Sequence, residues 1–129
     1  MNPPNPPADP NFIILYVESP SASAAFYAAL LGRPPVESSP NFAMFSLTGG
    51  VMLGLWARHD VEPAAVAAGG GAEIGFVVGD RATVEARHAE WQARGLRILQ
   101  VPVAMDFGYT FTAADPDGHR LRVFVPAAG

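Results

Sequence analysis

The stretch AADPDGHRLRVFV, residues 113–125, decides the fold. Asp115-Pro116-Asp117-Gly118 is a strong turn: proline presets its φ, aspartate can close onto the following backbone, and glycine accepts a left-handed conformation. The turn joins two strand-like runs, Tyr109 to Ala113 and His119 to Val125. Alternation along the second run puts Leu121, Val123 and Val125 on one face, for helices to cover, and Arg120, Arg122 and Phe124 on the other. The same pattern stands 68 positions earlier, where Gly50 matches Gly118, Leu53 matches Leu121, Gly54 matches Arg122 and Trp56 matches Phe124. An internal repeat of this kind means one unit of structure built twice.

Working outward, a second offset of 61 pairs Ile13 with Ile74, Val17 with Val78 and Leu30 with Trp91, and the difference of seven falls in the intervening loops. The first unit opens with an apolar strand, Phe12 to Val17. A helix follows, capped by Ser19-Pro20, with Phe26, Tyr27, Leu30 and Leu31 at helical spacing, and ends at Gly32. Val36 to Ser38, Phe42 to Leu47 and Val51 to Ala57 supply three strands. The second unit repeats the order with a strand at Glu73 to Val78, a helix capped by Asp80 that carries Val84, His88 and Trp91 and stops at Gly95, and strands at Arg97 to Val101, Tyr109 to Ala113 and His119 to Val125. The reading is a proline-rich tail over residues 1–11 and one domain over 12–129. Its first βαβββ module spans about 12–57, its connector about 58–71, with Gly69-Gly70-Gly71 as a flexible joint, and its second module about 72–126.

Composition narrows the chemistry. The chain has 129 residues, a net charge of -4, half its residues hydrophobic and no cysteine. All eight basic residues are arginine. This excludes disulfides, thiolate metal sites, thiol nucleophiles, a Walker lysine and Schiff-base catalysis, and the acidic balance argues against nucleic acid. No apolar run approaches the roughly 20 residues that span a bilayer, and no signal-peptide pattern opens the chain, so a cytoplasmic location is expected. Ser19, Ser21 and Ser23 are explained by helix capping, and Gly69-Gly70-Gly71 precedes a strand, which is the wrong context for a phosphate loop.

Two βαβββ modules, with Phe26-Tyr27 and Leu31-Gly32 in the first helix and Asp115-Pro116-Asp117-Gly118 before the last strand, resemble the vicinal oxygen chelate superfamily, the group of glyoxalase I, bleomycin resistance proteins and extradiol dioxygenases. The resemblance covers Phe12 to Pro126 and implies an α+β fold in which the paired modules form a curled eight-stranded mixed sheet around a small-molecule site, commonly in a homodimer. It also implies where metal-dependent members carry their His, Gln or Glu ligands: here Phe12, Gly54, Glu73 and Arg122 occupy those four places. Only Glu73 of the four can donate to a metal, and arginine has no lone pair to offer. Glu73 and Arg122 are instead expected to pair with each other. His59, His88 and His119 fall away from these positions and read as packing or surface residues, so no metal and no other cofactor is expected.

Strand alternation then selects the residues that face a ligand. In the first module Phe12, Ile14 and Tyr16 share a face, as do Met52, Gly54 and Trp56, completed by either Phe42 and Met44 or Ala43 and Phe45. In the second, Glu73 and Arg122 provide polarity, and Met105, Phe107 and Tyr109 come from a loop at the rim. The expected ligand-binding set is Phe12, Tyr16, Met52, Gly54, Trp56, Glu73, Met105, Phe107, Tyr109 and Arg122, with no catalytic residue. Rings, thioethers and a central glycine suit a flat apolar or aromatic compound. The resulting expectation is a metal-independent small-molecule binding protein of the glyoxalase/bleomycin resistance type, sequestering a compound such as an antibiotic. The alternative is a metal-dependent lyase, isomerase, transferase or dioxygenase of the same superfamily.

Overall fold

A computed structural model describes residues 9–128, so the first eight residues of the expected tail lie outside the described residues. The chain divides into two compact units, residues 1–65 and 66–129, and the division falls inside the expected connector. Each unit is a four-stranded mixed sheet with one long helix. Among the described residues no helix is long and apolar enough to cross a membrane.

In the first unit β1 (Phe12–Val17) leads into α1 (Pro20–Leu31), followed by β2 (Glu37–Ser38), β3 (Phe42–Ser46) and β4 (Met52–Ala57). The strand order is β1-β4-β3-β2, with β1 and β4 parallel and the rest antiparallel. The sheet begins before Phe12 in its bonding, since the Met52 amide donates to the Asn11 carbonyl at 2.9 Å. Ser19 caps α1 by accepting from the Ala22 amide at 3.2 Å, proline starts the helix where no N–H is needed, and Gly32 closes it onto the Ala28 carbonyl. Of the expected stripe Phe26, Tyr27, Leu30 and Leu31, Tyr27 is buried and the other three are half-buried; the remaining buried positions of α1 are Pro20, Ser23 and Ala24. Small side chains at Ser23 and Ala24 let the helix settle closely on Val17, Phe45, Leu53 and Leu55, all fully or nearly fully buried.

The second unit runs β5 (Glu73–Val77), α2 (Arg81–Ala93), β6 (Arg97–Met105), β7 (Gly108–Ala114) and β8 (Arg120–Pro126), in the order β5-β8-β7-β6. Asp80 caps α2 through the Thr83 amide and hydroxyl, at 2.8 and 2.6 Å. Its apolar stripe, Val84, His88 and Trp91, is the expected one. Phe111 stacks edge-on against His88 and Trp91, and Phe76 against Trp91. The strand register reproduces both offsets: Phe12 pairs with Met52 as Glu73 pairs with Arg120, and Ile14 pairs with Gly54 as Gly75 pairs with Arg122. In the Asp115 turn the carboxylate accepts from the Asp117 and His119 amides, each at 2.9 Å, and Gly118 takes φ 85°.

Two expectations need correction here. The strand expected to end at Val101 continues to Met105, so residues 105–109 are not a loop but a tight hairpin turned at Asp106 and Phe107. Pro102 does not stop it, because β6 is an edge strand whose register already shifts between Gln100 and Val103 and can spare an N–H there. Nor is Gly69 part of a flexible joint. It lies so close against the Asp115 turn that a Cβ would stand 2.8 Å from the Asp117 carbonyl oxygen and 2.9 Å from the His119 amide nitrogen.

Candidate functional site

Each sheet has one face under its helix and one face free of it, and the helix-free faces carry most of the expected site. In the first unit β3 resolves the open alternative: Ala43 and Phe45 are buried under α1, leaving Phe42 and Met44 with the ligand-facing set. Register places Phe12, Ile14 and Tyr16 beside Met52, Gly54 and Trp56, and these beside Ser46, Met44 and Phe42. Phe12 and Tyr16, on the edge strand β1, keep 42% and 40% of their surface in this unit open. The rings of Phe12 and Phe42 lie down over Gly54, where an added Cβ would meet them at 2.9 and 2.8 Å. Tyr16 and Trp56 meet edge to face, with ring centroids 6.2 Å apart. All five expected residues of this unit, Phe12, Tyr16, Met52, Gly54 and Trp56, therefore share one apolar face.

The equivalent face of the second unit has the opposite character. Where Phe12 stands in the first, the second has Glu73; Gly54 becomes Arg122, and Phe42 and Met44 become Thr110 and Thr112. The expected pair is present. Arg122 Nε donates to both Glu73 oxygens, at 2.8 and 3.0 Å, and Nη2 donates to Oε2 at 2.8 Å. Arg122 Nη1 donates to Gln100 Oε1 at 3.1 Å and to Thr110 Oγ1 at 3.2 Å. Behind these, the Thr110 hydroxyl donates to the Val123 carbonyl, Thr112 donates to Gln100 Oε1, and Gln100 Nε2 points at the Met105 sulfur 3.6 Å away. One Nη2–H of Arg122 is left without a partner among the described residues. The guanidinium lies 5.6 Å from the ring centre of Phe107, which is itself edge-on to Phe124 at 5.7 Å.

This network favours the ionised form of Glu73. The Arg122 hydrogen bonds hold the Glu73 carboxyl below the usual range. Partial burial opposes them, and the positive charges of Arg122 and Arg120 add to the lowering. Glu73, Met105, Phe107 and Arg122 are thus brought together.

Tyr109 is not. Because β7 starts at Gly108, alternation turns Tyr109 to the same side as Phe111, under α2. There its hydroxyl donates to Glu85 and its ring lies 4.6 Å beneath the Arg81 guanidinium. The Glu85 hydrogen bond raises the phenol above its ordinary range. Tyr109 borders a cleft of about 410 Å³ with Met105, Asp80, Arg81, Val125 and Pro126. Tyr109 thus lies on the opposite side of its sheet from Glu73 and Arg122.

Gln100, Thr110 and Thr112 were not among the expected site residues. The two threonines were accessible in principle, since they are the 68-position matches of Phe42 and Met44. Gln100 was not, because the shifted register of β6 hides which face it takes.

Each unit is a βαβββ module, and residues 10–123 match the family model described as the Glyoxalase/Bleomycin resistance protein/Dioxygenase superfamily; the chain belongs to that superfamily. Among its relatives is the phenazine antibiotic resistance protein EhpR of Enterobacter agglomerans, 29% identical over 121 residues and 92% of each chain. Among solved structures it is similar to protein ATC0852 from Agrobacterium tumefaciens, with 56% identity, a TM-score of 0.86 and coverage of 94% of this chain and 99% of that one. A glyoxalase-related enzyme from Fulvimarina pelagi aligns at 25% identity with a TM-score of 0.77, covering 88% of this chain and 85% of that one.

The superfamily includes metal-dependent enzymes, so the donor set bears on the fit of a divalent cation. Phe12 and Gly54 have no donor atom in their side chains, Arg122 is a cation, and both oxygens of Glu73 are engaged by that cation. No group of three or more His, Cys, Asp or Glu among the described residues is placed to share an ion. These residues do not fit a divalent metal.

Proposed function

We propose that the protein binds a flat apolar or aromatic compound without a metal, and acts by sequestering it, as an antibiotic-binding member of the superfamily. The observation that carries this reading is the two-pronged Glu73–Arg122 ion pair, which stands where the family resemblance puts metal ligands and engages the one carboxylate available. A binding role asks only for surface complementary to the ligand. Within the first unit Phe12, Phe42, Tyr16, Trp56 and Met52 form an apolar face of rings and a thioether. Within the second, Phe107 offers an aromatic face next to the Arg122 donor. The likeness to EhpR supports phenazines as the first class of compound to try. The reading includes a homodimer in the cytoplasm, as the resemblance implies, and native mass spectrometry gives the subunit count.

The test is calorimetric titration of the purified chain with phenazine, once after exhaustive chelation and once with added manganese, nickel or zinc. Saturable binding of the same affinity in both states, with phenazine recovered chemically unchanged, is expected. A requirement for metal, or conversion of the compound, would establish an enzyme in its place.

A further inference from the structure

Arginine recognises a carboxylate best through two parallel N–H bonds along one edge of its planar guanidinium. In this protein that geometry is already used from within. Glu73 takes the Nε and Nη2 edge, while Gln100 and Thr110 take both hydrogens of Nη1. What remains is a single Nη2–H, enough for one acceptor atom and too little for a second two-oxygen fork. The charge is matched as well: the Arg122 side chain is 16% exposed and sits against a carboxylate that is 36% exposed, so an incoming anion meets a neutral pair with its negative end open to the site. Arg120, beside Glu73 in the strand register, adds positive charge, but it is exposed and screened by water. The ring of Phe107 next to the guanidinium is 44% exposed and offers a planar ligand a stacking surface.

We infer that this site sorts ligands by charge: it accepts uncharged planar heteroaromatics bearing one hydrogen-bond acceptor, rejects aromatic carboxylates, and owes that preference to Glu73. The inference rests on the proposed binding function and deepens it. Glu73 acts as an internal carboxylate that competes with any external one for Arg122. A neutral ligand leaves the pair intact and takes the remaining Nη2–H through a ring nitrogen or carbonyl oxygen. An anionic ligand has to displace Glu73 or endure its repulsion.

Two probes of nearly equal shape separate charge from size: phenazine-1-carboxamide and phenazine-1-carboxylate, titrated at pH 7.5 into the full chain and into Glu73→Gln. The substitution keeps an acceptor oxygen near Arg122 and removes the charge. The wild-type protein is expected to bind the amide at least about tenfold more tightly than the acid, equivalent to about 1.4 kcal/mol. In Glu73→Gln that ratio should fall by about tenfold or reverse. Equal affinities in the wild type, a preference for the acid, or an unchanged ratio in the variant overturns the inference, as does a protein that binds phenazine but not its amide. Failure to bind phenazine or either derivative refutes the binding function itself. The wild-type ratio needs no variant, so a Glu73→Gln protein that fails to fold still leaves the inference open to refutation.

Discussion

Glu73→Ala strands a guanidinium that is 16% exposed and takes away three contacts of 2.8 to 3.0 Å. Hydrogen bonds to charged groups contribute about 1.5–3 kcal/mol net. Glu73 keeps 36% of its side chain in water, so solvent compensates part of the loss, and a cost of about 1–2 kcal/mol is expected. Urea unfolding of wild type, Glu73→Ala, Arg122→Met and the double variant gives the coupling directly, with about 1 kcal/mol expected between the two sites. The pH dependence has a definite sign. The folded-state pKa of Glu73 is depressed, so the pair stabilises fully above the ordinary carboxyl value of 4.5, and that contribution is lost as pH falls through the lowered folded value. The gap between wild type and Glu73→Ala should thus be constant from neutrality to about pH 5 and shrink in more acid solution. A variant within about 0.3 kcal/mol of wild type at pH 7, or a gap that widens with acid, would falsify the claim that the pair supports the second unit.

Further outcomes follow from the same geometry. Tyr109→Phe removes the hydroxyl that donates to Glu85 on the helix side of the sheet, and phenazine affinity measured by calorimetry should stay within about twofold of wild type. Gly108→Ala forces a Cβ to 2.1 Å from the Val125 carbonyl oxygen, a backbone atom that cannot swing aside. A loss of about 3 kcal/mol or more, or failure to accumulate folded protein, is expected by circular dichroism and urea titration. Trp56→Ala removes a half-buried ring that meets Tyr16 edge to face and should weaken phenazine binding, measured by calorimetry, by about tenfold.

How much of this was legible beforehand varies with the kind of information involved. The two modules were readable because a turn such as Asp115-Pro116-Asp117-Gly118 is encoded locally, and because a repeat can be checked by subtraction; the observed pairings of Ile14 with Gly54 and Gly75 with Arg122 obey both offsets. The Glu73–Arg122 pair was readable for the same reason, since both residues sit on strands whose faces alternate without interruption. The side that Tyr109 takes was not legible, because it depends on the length of the β6–β7 hairpin and β6 runs on to Met105, past the expected end at Val101. Gln100 escaped because the shifted register of β6 breaks the period of two. In α1 Tyr27 is buried as expected, but Ser23 and Ala24 join it ahead of Phe26, Leu30 and Leu31 because close packing rewards small side chains, a tertiary effect that helical spacing alone does not contain.

Gly69 sets a boundary on how the chain can be engineered. By composition residues 58–71 look like interchangeable spacer, yet Val61 is 4% exposed and belongs to the core, Val66 is 96% exposed, and three residues later the backbone is lodged against the hairpin corner at Asp117 and His119. An affinity tag, a protease recognition sequence or a new chain terminus belongs at Val66, between these two anchored points. Placed at position 69, the same insertion would pry open the corner from which the last strand, with Arg122, departs.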